Sequence, residues 1–178
     1  MYKRQPKIDL HVKDAIGRRW QLSTIQVDFA QPDNFDLQFV DSNNKRVKPV
    51  MIHRALLGSI ERFTGILIEN YAGEFPGWLS PVQVKILTIG DVSNYINKIT
   101  KSLKGFRYEV DDRNLRLGEK LHDASKDKVP ISLIVGEKDE LSNTLAINIR
   151  SQDNQQNVKY EDAMKQIKAH LKTPIFKI

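Results

Sequence analysis

From Ile8 to Ile52 the chain alternates apolar and polar residues with a period of two. This pattern is typical of β-strands that bury one face of a sheet. Segments rich in Gly, Pro, Asn and Asp interrupt it where the chain must reverse direction. These segments are "DAIGR" at 14–18, "QPDN" at 31–34 and "DSNNK" at 41–45. The pattern therefore predicts an antiparallel meander, with one of its strands at 35–39.

The next segment changes to a helical period. Its apolar residues recur at spacings of three and four, and they are Leu56, Ile60, Phe63 and Leu67. Such a stripe predicts an amphipathic helix, which we expect to include Ala55 and to end near Gly73. On this helix Ser59 and Arg62 would project side by side.

A break in the pattern follows at "EFPGWLSPVQV", which contains two prolines and a glycine. We predict a boundary near Pro76, with one domain over 1–76 and a second over 77–178. The second part alternates strands with helices, which favours an α/β domain with a parallel or mixed sheet and flanking helices. The predicted strands lie near 82–86, 106–110, 130–136 and 145–149, the helices near 95–103, 117–128 and 164–171, and a polar loop at 151–157.

Composition narrows the function only slightly. The chain of 178 residues has 28 basic and 22 acidic side chains, a net charge of +6 without charge blocks, which weakly favours a polyanionic partner. It has no cysteine, which excludes disulfides, thiolate metal sites and a cysteine nucleophile and indicates a cytoplasmic protein. No apolar run is long enough to span a membrane. The opening "MYKRQ" is interpreted as a foreign leader.

Two residues near the predicted helix are candidates for chemistry. Arg62 could fork onto the oxygens of a polyphosphate, or it could form an ordinary surface ion pair; Glu61 is the expected companion in either case. His53 is either a hydrogen-bonded structural residue or a metal ligand, and the sequence shows no cluster of donors around it.

Two polar segments are candidates for binding. Gln21, Thr24 and Gln26 lie on or beside an otherwise apolar strand, where they either line a pocket or face water. A predicted strand is followed by Arg113, Asn114 and Arg116 before the next predicted helix, which is where ligands bind in open α/β sheets. Asn can read base edges and Arg can hold phosphates. The competing interpretation is a capped turn at the start of the helix.

Several segments carry a resemblance to a known family. "PVMIHRALLGSIERFTGILIENYAG" closely resembles the third signature motif of threonyl-tRNA synthetases, which are class II aminoacyl-tRNA synthetases. "PKIDLHVKD", "WQLSTIQVDF" and "WLSPVQVKIL" resemble family segments in the same order, and "VDDRNLRLGEK" and "VPISLIVGEK" resemble its anticodon-binding domain. The resemblance extends from Pro6 to about Leu171. It implies the antiparallel sheet of a class II catalytic domain, in part, followed by an α/β anticodon-binding domain.

The resemblance implies roles for the candidate residues. Arg62 would bind the γ-phosphate of Mg-ATP, and Lys7 would lie close to the reacting groups. His53 would be one of three protein ligands of a zinc ion that binds the amino and hydroxyl groups of threonine. The residues that would line the pocket for ATP and threonine are Gln21, Thr24, Gln26 and Ser59.

In the second domain the resemblance implies that Asn114, Asp139 and Arg113 lie at the anticodon. The whole enzyme, a homodimer, would form threonyl-adenylate and transfer threonine to tRNA(Thr). The alternative is a stand-alone RNA-binding module without catalysis. We expect this chain alone to be inactive, because the other zinc ligands and the preceding arginine motif belong before Pro6.

The chain departs from the family pattern in both domains. In the first, Leu22 and Ser23 replace a common Cys-Gly in the wall of the pocket. His122 and Asn148 stand where the family commonly has arginines, and Asp139 stands where it has glutamate. Each lost guanidinium removes contacts of on the order of 1 to 3 kcal/mol, which puts the family's anticodon readout in question for this chain.

Overall fold

The computed structural model of the chain describes residues 6–174, and the chain divides into two compact units. Unit 1 is Met1–Ala72 and unit 2 is Gly73–Ile178. The predicted foreign leader "MYKRQ" lies outside the described residues. The domain boundary near Pro76 stays a prediction. No helix within residues 6–174 is long and apolar enough to cross a bilayer.

Unit 1 is built on a three-stranded antiparallel sheet in the order β1-β2-β5, which confirms the predicted meander. A two-stranded ribbon, β3 with β4, and two helices complete the unit. The strands are β1 (Lys7–Lys13), β2 (Arg19–Asp28), β3 (Phe39–Val40), β4 (Arg46–Val47) and β5 (Met51–Ala55), and the helices are α1 (Ala30–Asn34) and α2 (Ile60–Asn70).

Strand β2 contains a β-bulge at Leu22. The pairing of β1 with β2 passes from Ser23 directly to Gln21, so Leu22 is an extra residue without a partner in β1. A bulge of this kind shifts the alternation of side chains by one position. Gln21 therefore faces the same side of the sheet as Thr24, although the two are an odd number of residues apart.

Helix α2 begins later than the sequence pattern predicts. Ala55 ends strand β5, and the chain turns from Leu56 to Ser59 before the helix starts. Gly58 in this turn has a φ of +64°, which a helix does not allow. The prediction that Ser59 and Arg62 project side by side from the helix is wrong, because Ser59 is the N-cap.

The predicted turn at 31–34 and strand at 35–39 are also partly wrong. Residues 31–34 belong to α1, because Asp28 Oδ1 accepts hydrogen bonds from the backbone N–H groups of Ala30 and Gln31 and so starts a helix. Asp36 has a φ of 48°, which interrupts extended backbone, so the following strand is only Phe39–Val40.

Unit 2 is a five-stranded mixed sheet in the order β10-β9-β8-β6-β7 with four helices, as predicted for an α/β domain. Strand β6 pairs in parallel with β7 and β8, and β9 pairs antiparallel with β8 and β10. The strands are β6 (Val84–Ile89), β7 (Tyr108–Asp111), β8 (Ile131–Gly136), β9 (Thr144–Ile149) and β10 (Gln155–Lys159), and the helices are α3 (Ser93–Ser102), α4 (Leu117–Lys126), α5 (Glu137–Ser142) and α6 (Tyr160–Leu171).

The hydrophobic core of unit 2 lies between this sheet and its helices. It is built mostly from β-branched and leucine side chains of the central strands with apolar residues of α3 and α6. Two elements were not expected from the sequence: helix α5, which is a single short turn-like helix, and strand β10, which lies in the predicted polar loop. Because β6 pairs in parallel with both β7 and β8, the carboxyl ends of these three strands lie at the same edge of the sheet.

Candidate functional site

The carboxylate of Asp9 is the centre of the polar face of unit 1. Its Oδ1 atom accepts hydrogen bonds from Gln21 Nε2 at 2.7 Å and from Thr24 Oγ1 at 2.8 Å. Its Oδ2 atom lies 2.6 Å from Lys7 Nζ. The Lys7 ammonium and the Thr24 hydroxyl hold the pKa of Asp9 below its ordinary value, so it is ionised at neutral pH. One anion thus orients three of the predicted pocket side chains.

Gln26 and His53 continue this face onto the third strand. Gln26 lies opposite Lys7 in β1 and opposite His53 in β5. His53 Nε2 lies 3.1 Å from Oδ2 of Asp28, a carboxylate that is almost fully buried and also caps α1. Asp28 therefore fixes the imidazole ring, and within residues 6–174 the Nδ1 atom has no partner.

Arg62 contacts strand β2 and not a carboxylate. Its Nη1 atom donates a hydrogen bond to the backbone carbonyl oxygen of Gln21 at 3.1 Å, and its guanidinium carbon lies 5.6 Å from the centre of the Trp20 ring. The expected pairing with Glu61 is wrong, because Glu61 Oε2 accepts a hydrogen bond from Ser59 Oγ at 2.6 Å. Ser59 Oγ also accepts the backbone N–H of Arg62. Arg62 is thus held against the strand that carries Gln21, Thr24 and Gln26, the predicted pocket residues.

The turn before α2 approaches the bulge of β2 very closely. A Cβ atom at Gly58 would lie 2.5 Å from the carbonyl oxygen of Leu22, and the backbone there has a φ of +64°. Only glycine meets both conditions without strain. This contact sets the separation between β2 and the helix that begins with Ile60.

In unit 2 a cleft of about 570 Å³ opens at the carboxyl ends of the parallel strands. It lies between the start of α3 and the loop 112–116, and its lining includes Asp91, Asn114 and Arg116. The Asn114 side chain is exposed and makes no hydrogen bond within residues 6–174. Its amide is therefore available to a ligand in the cleft.

Arg113, which was also predicted to bind, is engaged with carboxylates. Its Nε and Nη2 atoms donate to the two oxygens of Asp111 at 2.9 and 2.7 Å, and Nη2 donates to Asp123 Oδ2 at 2.8 Å. The Arg113 guanidinium holds the pKa values of both carboxyls below their ordinary range. The loop after β7 is thereby bonded to helix α4.

Lys120, which the sequence did not single out, is 2% exposed and lies under the same loop. Its Nζ atom donates to the backbone carbonyl oxygens of Thr88 at 2.8 Å and Asp111 at 3.0 Å, with the Thr88 hydroxyl at 3.5 Å. Thr88 follows Leu87, which pairs with Asp111 of β7, and its hydroxyl also donates to the Asp111 carbonyl at 3.2 Å. Lys120 therefore joins the ends of the two strands.

Asp139 stands at the start of α5, next to the end of β8. Its Oδ2 atom accepts the backbone N–H of Gly136 at 2.9 Å, and Oδ1 lies 3.4 Å from Thr144 Oγ1. Gly136 pairs with Ile89 of β6, so Asp139 lies at the same sheet edge as the cleft. Its carboxylate has a capping function whether or not it contacts a ligand.

Most predicted site residues of unit 1 are thus brought together. In unit 2, Asn114 and Arg116 have no side-chain partner within residues 6–174, whereas Arg113 and Asp139 are bonded within the protein. Sequence reasoning missed Asp9, Asp28 and Lys120. Asp9 had a signal, since it shares the strand face of Lys7 by the period of two. Asp28 and Lys120 had none, because their partners lie on elements distant in sequence.

Comparison with protein families gives two matches. Residues 2–71 match the tRNA synthetase class II core domain (G, H, P, S and T), and residues 83–170 match the anticodon binding domain. The two matched segments fall on unit 1 and unit 2 respectively.

Individual relatives agree with these matches. The threonine–tRNA ligase of Clostridium tetani is 51% identical over 150 residues, which are 83% of this chain and 24% of that protein. The threonine–tRNA ligase of Clostridium botulinum strain Okra is 44% identical over 170 residues, 94% of this chain and 27% of that protein. The chain thus spans about a quarter of the length of these curated relatives.

A solved structure resembles both units. The crystal structure of the RNA binding domain of threonyl-tRNA synthetase from Cryptosporidium parvum Iowa II has a TM-score of 0.80 and 28% identity, covering 93% of this chain and 43% of that chain. The sequence matches and this structural likeness cover the sheet with Asp9 as well as the cleft with Asn114. The chain therefore belongs to the threonyl-tRNA synthetase family, in which it corresponds to the C-terminal end of the class II core domain followed by the anticodon-binding domain.

Proposed function

We propose that this chain serves threonine–tRNA ligation, with unit 1 contributing one wall of the ATP and threonine pocket and unit 2 binding the anticodon of tRNA(Thr). The observation that supports unit 1 most directly is the network around Asp9. It brings Lys7, Gln21 and Thr24 together on one face of the sheet, with Arg62 bonded to the same strand. If these side chains only faced water, nothing would require Lys7, Gln21 and Thr24 all to bond the same carboxylate.

In this proposal Arg62 supplies positive charge to the γ-phosphate of Mg-ATP. Only one N–H of its guanidinium is used by the Gln21 carbonyl, so the remaining donors can bind phosphate oxygens while the arginine stays fixed. A preorganised cation of this kind stabilises the charge that moves onto pyrophosphate when threonine attacks the α-phosphate. Lys7, held by Asp9, would stand near the reacting groups, with Ser59 and Gln26 at the pocket wall.

His53 is the single candidate ligand for zinc among the predicted site residues. Residues 6–174 contain no group of three or more His, Cys, Asp or Glu side chains that could hold a metal ion. His53, fixed by Asp28, fits one ligand position and does not form a zinc site by itself. The other ligands of a zinc ion would have to come from outside these residues.

In unit 2 the proposed RNA contact is the cleft beside Asn114. Amides of Asn hydrogen-bond base edges, and the splayed bases of an anticodon loop are accessible to such side chains. The cleft lies at the carboxyl ends of parallel strands, the usual position of ligands in α/β sheets. Asp139 stands at the same edge of the sheet.

A second candidate function is RNA binding without catalysis. All buried hydrophobic side chains of the described chain lie between Val84 and Leu171, within unit 2. Unit 2 is therefore equipped to fold and bind RNA by itself, whereas the sheet of unit 1 carries little core of its own. The two functions differ in whether unit 1 takes part in adenylate formation.

A chimeric enzyme tests the catalytic proposal. Residues 6–174 would replace the matching segment of the Clostridium tetani ligase, and threonine-dependent pyrophosphate exchange would be measured. We expect exchange by the chimera, and a loss of about 10²- to 10³-fold in kcat/KM with Arg62→Ala, the cost typical of removing one preorganised donor to a transition-state charge. Arg46→Ala, at an exposed residue of β4, is the matched control. Equal turnover by Arg62→Ala and the unaltered chimera would refute the role of Arg62.

The chain alone gives the complementary result. We expect no pyrophosphate exchange from it, because one wall of a pocket does not preorganise the reaction. Measurable exchange would contradict this expectation. Binding of a labelled anticodon stem–loop RNA by the same chain, weakened by Asn114→Ala, would support the RNA-binding part of the proposal under either function.

A further inference from the structure

The loop 112–116 between β7 and α4 carries two arginines in very different surroundings. Arg113 is bonded to the protein, whereas Arg116 is exposed and its side chain makes no hydrogen bond or ion pair within residues 6–174. Asn114 lies between them in the sequence and lines the cleft. The two arginines are therefore expected to affect RNA binding in different ways.

Arg113 joins three parts of unit 2 through its planar guanidinium. Its Nε and Nη2 atoms donate hydrogen bonds to the two carboxylate oxygens of Asp111, which is 5% exposed and ends β7. The Nη2 atom also donates to Asp123 on α4. Paired, nearly parallel hydrogen bonds of this type fix the direction of the arginine as well as its position. A phosphate would have to displace a carboxylate to take over these donors.

Lys120 supports the same end of the loop from beneath. Its buried ammonium bonds the backbone carbonyl of Asp111 while Arg113 bonds the side chain of Asp111. Lys120 and Asp123 lie three residues apart on α4 and so share one helix face. Helix α4 thus holds the start of loop 112–116 through two separate charged contacts.

We propose that Arg113 is a positioning residue that sets the loop presenting Asn114 without touching RNA, and that Arg116 supplies the loop's direct contact with RNA phosphate. This inference rests on the proposed RNA-binding function of unit 2. The carboxylates around Arg113 neutralise it locally, and phosphate oxygens are repelled by Asp111 and Asp123. Arg116 also lines the cleft, but within residues 6–174 it forms no ion pair with a carboxylate.

The salt dependence of RNA binding distinguishes the two roles. Each protein cation that neutralises a phosphate releases counterions and adds about 0.7 to 0.9 to the slope of log Kd against log salt concentration. The full chain would be titrated with a fluorescein-labelled stem–loop RNA of the tRNA(Thr) anticodon arm at several salt concentrations. Arg116→Gln should lower the slope by about that amount and weaken binding uniformly.

Arg113→Lys keeps the charge but cannot span two carboxylates with one planar fork. It should weaken binding roughly tenfold, the effect of losing a charged hydrogen-bond arrangement, with the slope unchanged. A direct phosphate contact would instead be largely rescued by lysine. Arg113→Gln should also leave the slope unchanged, and a drop in its slope equal to that of Arg116→Gln would overturn the proposal.

Asp123→Asn provides a second measurement that does not disturb buried Asp111. If only the net charge near the RNA determined affinity, removing the negative charge of Asp123 should strengthen RNA binding. The proposal requires weaker binding, because Arg113 loses one of its two anchors. Glu119→Gln, in the first turn of the same helix and exposed, is the control with an equal charge change, and it should not weaken binding. Unchanged or stronger binding by Asp123→Asn would overturn the positioning role.

The failure of this inference is distinguishable from failure of the proposed function. If the unaltered chain, folded as judged by circular dichroism, did not bind the stem–loop, RNA binding by unit 2 would itself be refuted. The unaltered chain could bind the RNA while Arg113→Gln lowered the salt slope as much as Arg116→Gln, or while Asp123→Asn failed to weaken binding. In that case only the division of roles between Arg113 and Arg116 would be wrong.

Discussion

At the scale of single residues, Gly58 and Gly65 offer a matched pair. A methyl group at Gly58 would collide with the carbonyl oxygen of Leu22 and would also require an L-residue at a φ of +64°. Gly65 lies within α2, and a Cβ atom there meets nothing within 4 Å. We expect Gly58→Ala to destabilise unit 1 by about 1–3 kcal/mol, and Gly65→Ala to stabilise it by about 0.5–1 kcal/mol.

Amide hydrogen exchange of the paired residues in β2 and β5 would measure both effects within the intact chain. Faster exchange in Gly58→Ala and slower exchange in Gly65→Ala is the expected result. Equal exchange in the two variants would show that the turn before α2 can move away from β2 without cost.

Asp14 gives unit 1 a pH dependence. Its side chain is fully buried and accepts hydrogen bonds from Trp20 Nε1 at 2.8 Å and from Arg18 Nε at 2.5 Å. Burial opposes ionisation, but these bonds prevail and lower the pKa of Asp14 from 3.8 to about 2. Because the folded pKa is lowered, the stabilisation is complete above the ordinary pKa and is lost as pH falls through about 2.

The indole N–H resonance of Trp20 should therefore stay constant down to the ordinary carboxyl range and change as pH approaches 2. The Trp78 indole is an internal reference, and Asp14→Asn should abolish the change. A midpoint of the Trp20 signal at the ordinary carboxyl pKa would contradict the buried, bonded state of Asp14.

Side-chain direction along strands could be predicted from sequence only where the strand is regular. Lys7 and Asp9 share a face by simple alternation. Gln21 does not follow this rule, because the bulge at Leu22 changes its face, and nothing in the sequence distinguishes this bulge from a regular strand. Arg113 is a similar case, since its ion pair with Asp123 exists only after α4 has packed against β6.

At the scale of elements, Lys120 fastens α4 to the ends of β6 and β7. Lys120→Met keeps the apolar stem and removes the donor to the Thr88 and Asp111 carbonyls. We expect a loss of about 1–3 kcal/mol in the free energy of unfolding, since hydrogen bonds to charged groups and unpaired buried acceptors are of this order.

Urea unfolding followed by circular dichroism would measure this loss. Lys126→Met, exposed near the end of the same helix, is the control and should change stability by no more than about 0.5 kcal/mol. An unchanged midpoint for Lys120→Met would indicate that water replaces the ammonium without cost.

The elements that sequence patterns predicted best are the long ones with an apolar face, such as β8 and α6. Strand β10 was missed because it is polar and lies at the edge of the sheet, where only one neighbour specifies it. Helix α5 was missed because its six residues, EKDELS, have no apolar stripe and depend on the Asp139 cap. Helix α2 was placed too early because the period of its apolar residues continues through a turn that Gly58 makes non-helical.

At the scale of the whole molecule, apolar surface is distributed unequally between the two units. On the sheet face opposite Asp9, Ile8, Leu10 and Ile52 are each more than half exposed, whereas unit 2 holds every buried hydrophobic side chain of residues 6–174. Hydrophobic burial is the main favourable term in folding. Unit 2 should therefore be much the more stable of the two.

A truncated chain of residues 73–178 tests this expectation. It keeps the hydrogen bonds from Arg150 to the Glu74 and Phe75 carbonyls, which attach the first residues to unit 2. We expect it to unfold cooperatively, with stability within about 0.5 kcal/mol of unit 2 in the full chain, and to bind the stem–loop RNA equally. Loss of either property would show that unit 2 depends on residues before Gly73.

The bulge in β2 has a consequence for how this strand can vary in length. The bulge holds one residue that has no partner in β1. If one residue between Gln21 and Thr24 were deleted, β2 would become a regular strand at this point, and the Gln21 side chain would still point towards Asp9. Between Thr24 and Gln26 the strand is regular and has no extra residue. A deletion there would place the Thr24 and Gln26 side chains on opposite faces of the sheet. The tolerance of β2 to the loss of a residue is thus confined to one point of the strand.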